Sequence, residues 1–548
     1  MPRMTTAEAV VDSLIRHGID TVFALPGVHN DPFFDAIARS GGRIRAIHAR
    51  HEQTAAYMAL GAALATGRPA AFCVVPGPGV LNAAAALLTA YGLGAPVLAI
   101  LGQIPQGAID RGLGHLHELH DQLGLLRHVT RHATRITHPG EAPAHVAEAI
   151  ARAMRPRQGP AALEIAIDVW PRAGLVEPLP LATPAALLPD PEAIAAAAGR
   201  LAASRRPLIV AGGGALGAAT ELRALAERIG APVMTYRRGR GVLDTTHPLA
   251  VNRPIGHALW AATDVVLGVG TRLHAPLAWW GQDRELGIIR IDADAEQMDR
   301  PRPPDIAILA DATAGLAALN AALSGETPRA PRADLAAARA ALAPALSALE
   351  PQASLLAAIR AALPEDGILV EDVTQLGFVG RLSFPVAAPR RYLSAGYQDN
   401  LGWAYGAALG AAATAPGRAV VALCGDGGFL YQGAELATAL RHQLPVVAIV
   451  LDDGAFGNVR RIQAEQYGNR LIACDLANPD FVRFAESFGL PAWRATTPAA
   501  LEAALGEAIA RRNPALIHVP VGEMPSPWPL ILLPRVRGFE SSWQRLLP

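Results

Sequence analysis

The stretch CGDGGFLYQGAELATALRHQLPVVAIVLDDGAFGN (residues 424–458) decides the fold of this chain. It runs from the end of one apolar segment to the end of another, and we predict a β-strand in each. Asp426 follows the first strand, and Asp453 follows the second, 27 positions later. Continuous apolar runs of this kind are typical of parallel strands covered by helices on both faces. We therefore expect both carboxylates at one edge of a sheet, where open parallel sheets bind ligands.

Two carboxylates beside a glycine-rich turn favour a magnesium–diphosphate site. Mg²⁺ prefers oxygen ligands and bridges phosphate groups. The free N–H groups of the turn bind phosphate oxygens, and Gly425, Gly427 and Gly428 let a ligand approach closely. The alternative, two solvated aspartates at strand ends, stays open at this point.

The same alternation of apolar runs and helical patterns extends over the whole chain. It predicts an α/β protein with three doubly wound parallel-sheet domains. Two Pro- and Ala-rich stretches, 171–191 and 324–351, are interpreted as linkers. The resulting domain boundaries are 1–180, 190–335 and 350–548.

The first and third of these domains are similar to each other in sequence. GAALATGRPAAFCVVPGPG (61–79) and GAALGAAATAPGRAVVALCGDGG (406–428) both contain a helix of small residues, a Gly-Arg turn, a strand and a Gly-rich turn. The spacing to the next strand is also the same in both. We therefore predict that one domain is a duplicate of the other.

The composition excludes several functions. All 48 basic residues are arginine, and the chain contains no lysine. Pyridoxal-phosphate chemistry, P-loop nucleotide hydrolysis, protein kinase activity and a Schiff-base lysine nucleophile are therefore excluded. The 48 acidic residues bring the net charge to zero, so we expect no nucleic-acid partner.

The apolar content of 51% predicts large buried cores. The uncharged stretch 69–109 is interrupted by prolines and glycines, which favours core strands over a membrane span. Three cysteines are too few for a disulfide framework. A cytoplasmic protein without membrane contact is the expectation.

The 424–458 stretch resembles the GDG…NN signature of thiamine-diphosphate (ThDP) enzymes of the pyruvate decarboxylase and acetolactate synthase family. The resemblance covers nearly the whole chain and implies a pyrimidine-binding, a middle and a diphosphate-binding domain, in that order. It implies that the side chains of Asp426 and Asp453 bind Mg²⁺, together with the backbone carbonyl of Ala455. Further cofactor contacts are implied at Gln375, Leu401, Gly425, Gly427, Gly428, Phe456 and Gly457, and Leu401 is the bulky residue that supports the bent cofactor.

The N-terminal domain carries the residues that the resemblance places near the reacting centre. Glu52, in RHEQTAAYMALGAALATG (50–67), is the implied glutamate that protonates the pyrimidine ring. Asn82, in GPGVLN (77–82), is an implied cofactor contact. His29 and His117 are the implied substrate-facing residues, with His115 and His120 as alternatives to the latter. Gln103, in GQIP (102–105), is implied to lie near the thiazolium ring of the cofactor.

The family resemblance implies decarboxylation of a 2-oxo acid through an enamine intermediate, with possible carboligation to a second carbonyl. One alternative is a C–C lyase or ligase acting on 2-hydroxy ketones or 2-hydroxyacyl-CoA. Another is a catalytically idle ThDP-binding assembly subunit. Since the family's cofactor lies between two subunits, a homodimer is the minimum and a homotetramer is expected.

Two departures from the family pattern and one C-terminal segment bear on these expectations. The pair Asp452-Asp453 replaces the usual two asparagines, which adds negative charge beside a diphosphate. The segment after THPLA (246–250) lacks the Gly-Met-His-Gly sequence of flavin-bearing synthases, so FAD is not expected. Finally, the apolar, proline-punctuated segment 523–538 is expected to pack onto a neighbouring subunit or to cover the active site.

Overall fold

The computed structural model describes residues 1–180 and 187–538 of the chain. It contains three six-stranded parallel sheets, each flanked by helices, so the predicted fold class is confirmed. The linker predicted at 171–191 lies partly outside the described residues.

The first sheet lies in the N-terminal third of the chain. Its strands are Thr21–Ala24, Arg45–His48, Ala70–Val74, Val97–Gln103, His132–Ile136 and Ala161–Ala166. The accompanying helices are Thr6–Arg16, Asp31–Ala38, Glu52–Thr66, Pro78–Leu93, Gln122–Val129 and Ala142–Met154. A short antiparallel pair, Arg3–Thr5 with Ala173–Leu175, closes this region.

The middle sheet contains the strands Pro207–Ala211, Val233–Thr235, Ala250–Val251, Val265–Val269, Gly287–Asp292 and Ile306–Leu309. Its helices are Pro191–Ala203, Ala219–Ile229, Arg253–Trp260, Ala295–Met298, Ala312–Ala322 and Leu335–Ser347. The last helix falls inside the stretch 324–351 that we predicted as a linker. It forms because the stretch is rich in alanine, and Leu335 is buried in the core of the middle sheet.

The C-terminal sheet contains the strands Ile368–Glu371, Tyr392–Leu393, Val420–Gly425, Val446–Asp452, Ala492–Arg494 and Ala515–Pro520. The remaining helices are Gln352–Ala362, Gln375–Ser383, Ala404–Thr414, Asp426–Leu430, Leu436–Arg441, Gly457–Gln466, Phe481–Ser487 and Pro498–Arg511.

The predicted duplication is visible in the sheet topology. Numbered along the chain, the strands of the N-terminal sheet lie in the order 2-1-3-4-6-5, and the C-terminal sheet has the same order. The middle sheet has the different order 3-2-1-4-5-6. The first and third sheets are therefore copies of one arrangement.

The described residues fall into two compact units. One unit holds the N-terminal and C-terminal sheets and comprises Met1–Pro184, Ala362–Thr374 and Leu393–Gly522. The other holds the middle sheet together with Gln375–Tyr392 and the segment after Gly522.

The segment 523–538 packs against the middle-sheet unit of its own chain. The backbone N–H of Val536 donates to the carbonyl of Trp280 at 2.9 Å, and the guanidinium of Arg537 donates to the carboxylate of Asp283 at 2.6 Å. In addition, a ring nitrogen of His257 lies 2.8 Å from the carbonyl oxygen of Pro534. These bonds hold the segment on the middle-sheet unit of its own chain. Our two expectations had named a neighbouring subunit and the active site instead.

Within the larger unit, the two copies meet through a close crossing of two helices. Helix Glu52–Thr66 is built mostly of small buried residues, and so is helix Ala404–Thr414. A Cβ atom added to Gly61 would overlap the carbonyl oxygen of Ala407, and one added to Gly410 would overlap that of Met58. The two backbones are therefore in direct contact, at a separation that only glycine permits.

No single helix in the described ranges is both long enough and apolar enough to cross a membrane. By length and composition alone, one pair of helices meets the criterion together, Leu335–Ser347 with Gln352–Ala362, but a bend of 99° separates them.

The helix crossing yields a test of what holds the two copies together. Gly410→Ala forces the two helices apart, and we expect it to destabilise the protein by about 1–3 kcal/mol, the usual cost of overpacking a core. The measurement is the midpoint of thermal or urea unfolding. The matched control is Gly506→Ala in helix Pro498–Arg511, where an added Cβ meets no atom within 4 Å. That control should be neutral or slightly stabilising, and equal midpoints for both variants would contradict the proposed role of the crossing.

Candidate functional site

Two neighbouring strands of the C-terminal sheet deliver the paired aspartates to one edge. The strands Val420–Gly425 and Val446–Asp452 pair in parallel, with Gly425 opposite Leu451. Asp426 directly follows the first of these strands, and Asp453 directly follows the second. The sheet register thus produces the juxtaposition that the 27-residue spacing predicted.

Asp426 is nearly fully buried, with 3% of its surface exposed. Its two carboxylate oxygens accept hydrogen bonds from the backbone N–H groups of Gly427 at 2.8 Å and Gly454 at 3.0 Å. Burial, and beyond it the nearby carboxylates of Asp453 and Asp452, raise the pKa of Asp426 to about 6. A cation bound here would stabilise the charged form of these carboxylates.

An asparagine that the sequence analysis missed joins this group. The side-chain N–H₂ of Asn478 donates to Asp426 at 2.7 Å and to Asp452 at 2.8 Å. The other oxygen of Asp452 lies 3.0 Å from Nε2 of His518, which is itself buried. Asp452 therefore faces the protein interior, where an amide and an imidazole hold it. Neither partner belongs to a local motif, because each reaches the site from a distant part of the chain.

The donor set at this edge fits magnesium. In the described part of the chain, the hydrogen-bond partners of Asp426 are neutral N–H groups, so no side-chain cation offsets its charge. No cluster of three or more His, Cys, Asp or Glu side chains suited to a metal was found among the described residues. A metal here would accordingly depend on few protein carboxylates and on additional oxygen ligands such as phosphates, as Mg²⁺ typically does.

The glycines of the turn are surrounded closely on the protein side. A Cβ added to Gly427 would lie 2.7 Å from the ring of Phe456. One added to Gly428 would lie 3.3 Å from Cδ1 of Leu401 and 3.1 Å from a carboxylate oxygen of Asp372. The structure therefore brings Leu401 beside the turn that the sequence assigned to the diphosphate.

Asp372 is a second residue that the sequence analysis missed. It is fully buried, and both of its oxygens accept the backbone N–H of Gly402 at 3.1 Å. Burial raises its pKa to about 7. Because Gly402 follows Leu401 directly, this bond fixes the loop that presents the Leu401 side chain.

Three other predicted cofactor contacts, Ala455, Phe456 and Gly457, follow Asp453 closely in the chain, whereas Gln375 lies in the other compact unit. The N–H of Ala455 lies 3.3 Å from a carboxylate oxygen of Asp453, and the N–H of Phe456 donates to the carbonyl of Cys474 at 2.7 Å. Gly457 begins the helix Gly457–Gln466. Gln375 begins the helix Gln375–Ser383, which is grouped with the middle sheet.

Glu52 lies in the N-terminal copy, as the first residue of helix Glu52–Thr66. The amide of Asn82, on helix Pro78–Leu93, donates to Oε2 of Glu52 at 3.0 Å. The structure thus pairs two residues that the sequence analysis proposed separately.

The loop before Glu52 is held by the other copy. The backbone N–H groups of Arg50 and His51 donate to the carboxylate of Glu435 at 3.0–3.1 Å. Glu435 is 99% buried, since only 1% of its surface is exposed. This glutamate therefore fixes the start of the helix that presents Glu52.

The two predicted histidines lie together. The rings of His29 and His117 are stacked, with centroids 5.1 Å apart. Nε2 of His29 lies 3.1 Å from the carbonyl of Leu116, and burial lowers the pKa of His29. The neutral form of His29 is therefore favoured, and it is suited to hydrogen bonding with a polar ligand.

Gln103 lies at the end of strand Val97–Gln103 and is buried. Its amide N–H₂ donates to the carboxylate of Glu164, and its oxygen accepts the backbone N–H of Ile104 at 2.7 Å. The side chain is therefore held in one orientation by the protein. Glu164 had not been singled out from the sequence.

Models of known protein families match three parts of the chain. The N-terminal TPP (thiamine pyrophosphate) binding domain of thiamine pyrophosphate enzymes matches residues 4–125, the central domain matches 194–319, and the C-terminal TPP binding domain matches 372–519. Together these matches cover more than half of the chain and include the regions of both copies.

Curated relatives agree with these matches. The chain is 34% identical over 505 residues to the probable 2-ketoarginine decarboxylase of Pseudomonas aeruginosa, covering 89% of this chain and 88% of that protein. It is 31% identical over 553 residues to the acetolactate synthase isozyme 1 large subunit of Escherichia coli, covering 96% of each. It is 29% identical over 531 residues to the sulfoacetaldehyde acetyltransferase of Castellaniella defragrans, covering 89% and 87%. The chain is therefore an enzyme of the thiamine pyrophosphate family, related to decarboxylases and acetolactate synthases.

Proposed function

We propose that this enzyme decarboxylates a 2-oxo acid with ThDP and Mg²⁺, with possible transfer of the remaining carbon unit to a second carbonyl. The observation that carries the proposal is the buried carboxylate cluster at Asp426, one strand away from Asp453 and beside the glycine turn. When bound, ThDP supplies the carbon nucleophile and the electron sink.

Residues of this chain would hold the diphosphate end of the cofactor. Asp426, Asp453 and the carbonyl of Ala455 would hold Mg²⁺, while the N–H groups of Gly427 and Gly428 would meet phosphate oxygens. Leu401, beside Gly428, would support the cofactor from below.

Glu52 is the proposed acid–base residue. Because Asn82 donates to Oε2 of Glu52, Oε1 is left to hold or release the proton that is exchanged with the pyrimidine ring. By holding Oε2, Asn82 would also prevent the carboxylate from rotating and exchanging the positions of its two oxygens. The stacked pair His29 and His117 would contact the substrate, and Gln103 would lie near the thiazolium ring.

The substrate class is a 2-oxo acid, and a larger one than pyruvate is favoured. The probable 2-ketoarginine decarboxylase among the relatives supports this choice. Acetolactate synthase and sulfoacetaldehyde acetyltransferase relatives support carboligation or transfer as the alternative fate of the carbon unit. For assembly, we propose a homodimer at minimum and a homotetramer as the complete form.

The first test concerns the cofactor and the reaction together. Titration of the protein with ThDP, followed by circular dichroism or fluorescence, should give saturable binding that requires Mg²⁺. CO₂ release is then measured across a panel that includes pyruvate and 2-ketoarginine, with and without an aldehyde acceptor. Aldehyde as the sole product indicates a decarboxylase, and a hydroxy ketone product indicates a carboligase. Absence of Mg²⁺-dependent ThDP binding would refute the proposed enzyme.

The second test concerns Glu52. Glu52→Gln preserves the size of the side chain and removes its titrating proton, so we expect turnover to fall by about 10²–10⁴-fold. Hydrogen–deuterium exchange at the reactive cofactor carbon should slow in parallel. ThDP affinity should change little, because the diphosphate is held at the other copy. An unchanged exchange rate would exclude Glu52 as the activating residue.

The third test concerns the aspartate that replaces the family's asparagine. Asn offers Mg²⁺ one neutral oxygen, so Asp453→Asn should retain Mg²⁺-dependent ThDP binding in calorimetry. Asp426→Asn serves as the comparison and should weaken that binding, because it removes the buried carboxylate of the cluster. Loss of binding in Asp453→Asn would show that the additional negative charge is itself required.

A further inference from the structure

Glu164 is a carboxylate in an otherwise apolar strand, Ala161–Ala166. Its side chain has no exposed surface. Strand neighbours on either side, Leu163 and Ile165, are core residues that face away from it. Burying a carboxylate costs free energy unless hydrogen bonds and an opposite charge compensate for it, so this position calls for a specific role.

Three donors converge on this carboxylate. Oε1 accepts from the amide of Gln103 and from the amide of Gln122, the latter at 3.1 Å. Oε2 accepts from Nε of Arg135 at 2.9 Å. An ionised carboxylate only accepts hydrogen bonds. Each glutamine must therefore turn the N–H₂ end of its amide, and not the oxygen, toward Glu164.

Gln122 passes this orientation on to the turn of the N-terminal copy. It is fully buried, and with its N–H₂ group turned toward Glu164 and the carbonyl of Gly102, its oxygen accepts the N–H of Gly77 at 2.9 Å. Gly77 directly precedes the helix Pro78–Leu93, which carries Asn82. A chain of hydrogen bonds and backbone therefore connects Glu164 with the residue that binds Glu52.

We propose that Glu164 is a positioning residue for the active site: it orients the amides of Gln103 and Gln122, and through Gln122 it fixes the turn at Gly77 from which Asn82 reaches Glu52. The catalytic part of this proposal rests on the proposed ThDP function. The structural part stands on the hydrogen bonds of the chain itself.

The substitution Glu164→Gln separates this role from simple packing. Glutamine has the same shape but only one acceptor oxygen, and the charged Arg135 attracts that oxygen. The new N–H₂ group then faces the two glutamine amides, which are donors, and forces at least one of them to turn. Gln122→Met removes the bond to Gly77 directly and serves as a second variant, and Ile165→Val on the same strand is the control for general core destabilisation.

The first measurement is backbone hydrogen–deuterium exchange by mass spectrometry on the cofactor-free protein. Pro76 and Pro78 have no amide hydrogen, so a peptide spanning 75–82 reports the Gly77 amide together with the amides of residues 79–82, at the start of the helix that this turn precedes. Exchange in this peptide should accelerate at least tenfold in Glu164→Gln and in Gln122→Met, but not in Ile165→Val. Equal exchange in all three variants would overturn the proposal, whatever the activity of the parent enzyme.

The second measurement is steady-state kinetics with the best 2-oxo acid. Glu164→Gln should lower kcat about 10- to 100-fold, the scale expected for small misplacements of reacting groups. KM and ThDP affinity should stay within about threefold, whereas Ile165→Val should leave kcat unchanged. A kcat equal to that of the control would overturn the catalytic role. A parent enzyme that releases no CO₂ would instead refute the proposed function, and the exchange measurement would still decide whether Glu164 holds the turn.

Discussion

The backbone contact between helices Glu52–Thr66 and Ala404–Thr414 is the constraint on which the rest of the larger unit depends. Each helix presents a glycine to a carbonyl oxygen of the other, so neither can shift without steric overlap. The first helix begins at Glu52, and the second follows the loop that carries Leu401. The crossing therefore fixes where each of the two helices begins. In addition, Glu435 of the C-terminal copy accepts hydrogen bonds from the loop before Glu52.

Charge at the C-terminal edge is handled without lysine. Three aspartates lie close together there, and burial, with the neighbouring charges of Asp453 and Asp452, raises the pKa of Asp426. Asn478 offsets part of the cost of burying this charge, because it donates to the carboxylates of Asp426 and Asp452. His518 lies beside the other oxygen of Asp452, on the interior side. These neutral and ring N–H groups compensate only in part, so negative charge remains at this edge.

The strands, the duplication and the paired aspartates could be predicted from local patterns in the sequence, because each depends on residues close together in the chain. Asn478, Asp372 and Glu164 were missed for the opposite reason: their roles depend on which strands and loops meet in space. Glu164 did leave a signal, a lone acid within the apolar run AALEIA (161–166), which indicates a buried carboxylate with partners. The helix Leu335–Ser347 was missed because the prolines and alanines of the stretch 324–351 resemble linker composition, although alanine also favours helix.

The two copies have the same strand order but different chemistry at the same edge, and this difference explains why both are needed. In the C-terminal copy the turn after the third strand is Gly-Asp-Gly-Gly, with a carboxylate in position to bind a cation. In the N-terminal copy the equivalent turn is Pro-Gly-Pro-Gly, which has no charge and leads into the helix that carries Asn82. The acid of that copy is instead Glu52, at the start of a neighbouring helix. A duplicated fold can thus present different chemistry at equivalent edges: one edge keeps paired aspartates beside a glycine turn, and the other has a single glutamate that accepts a hydrogen bond from an asparagine.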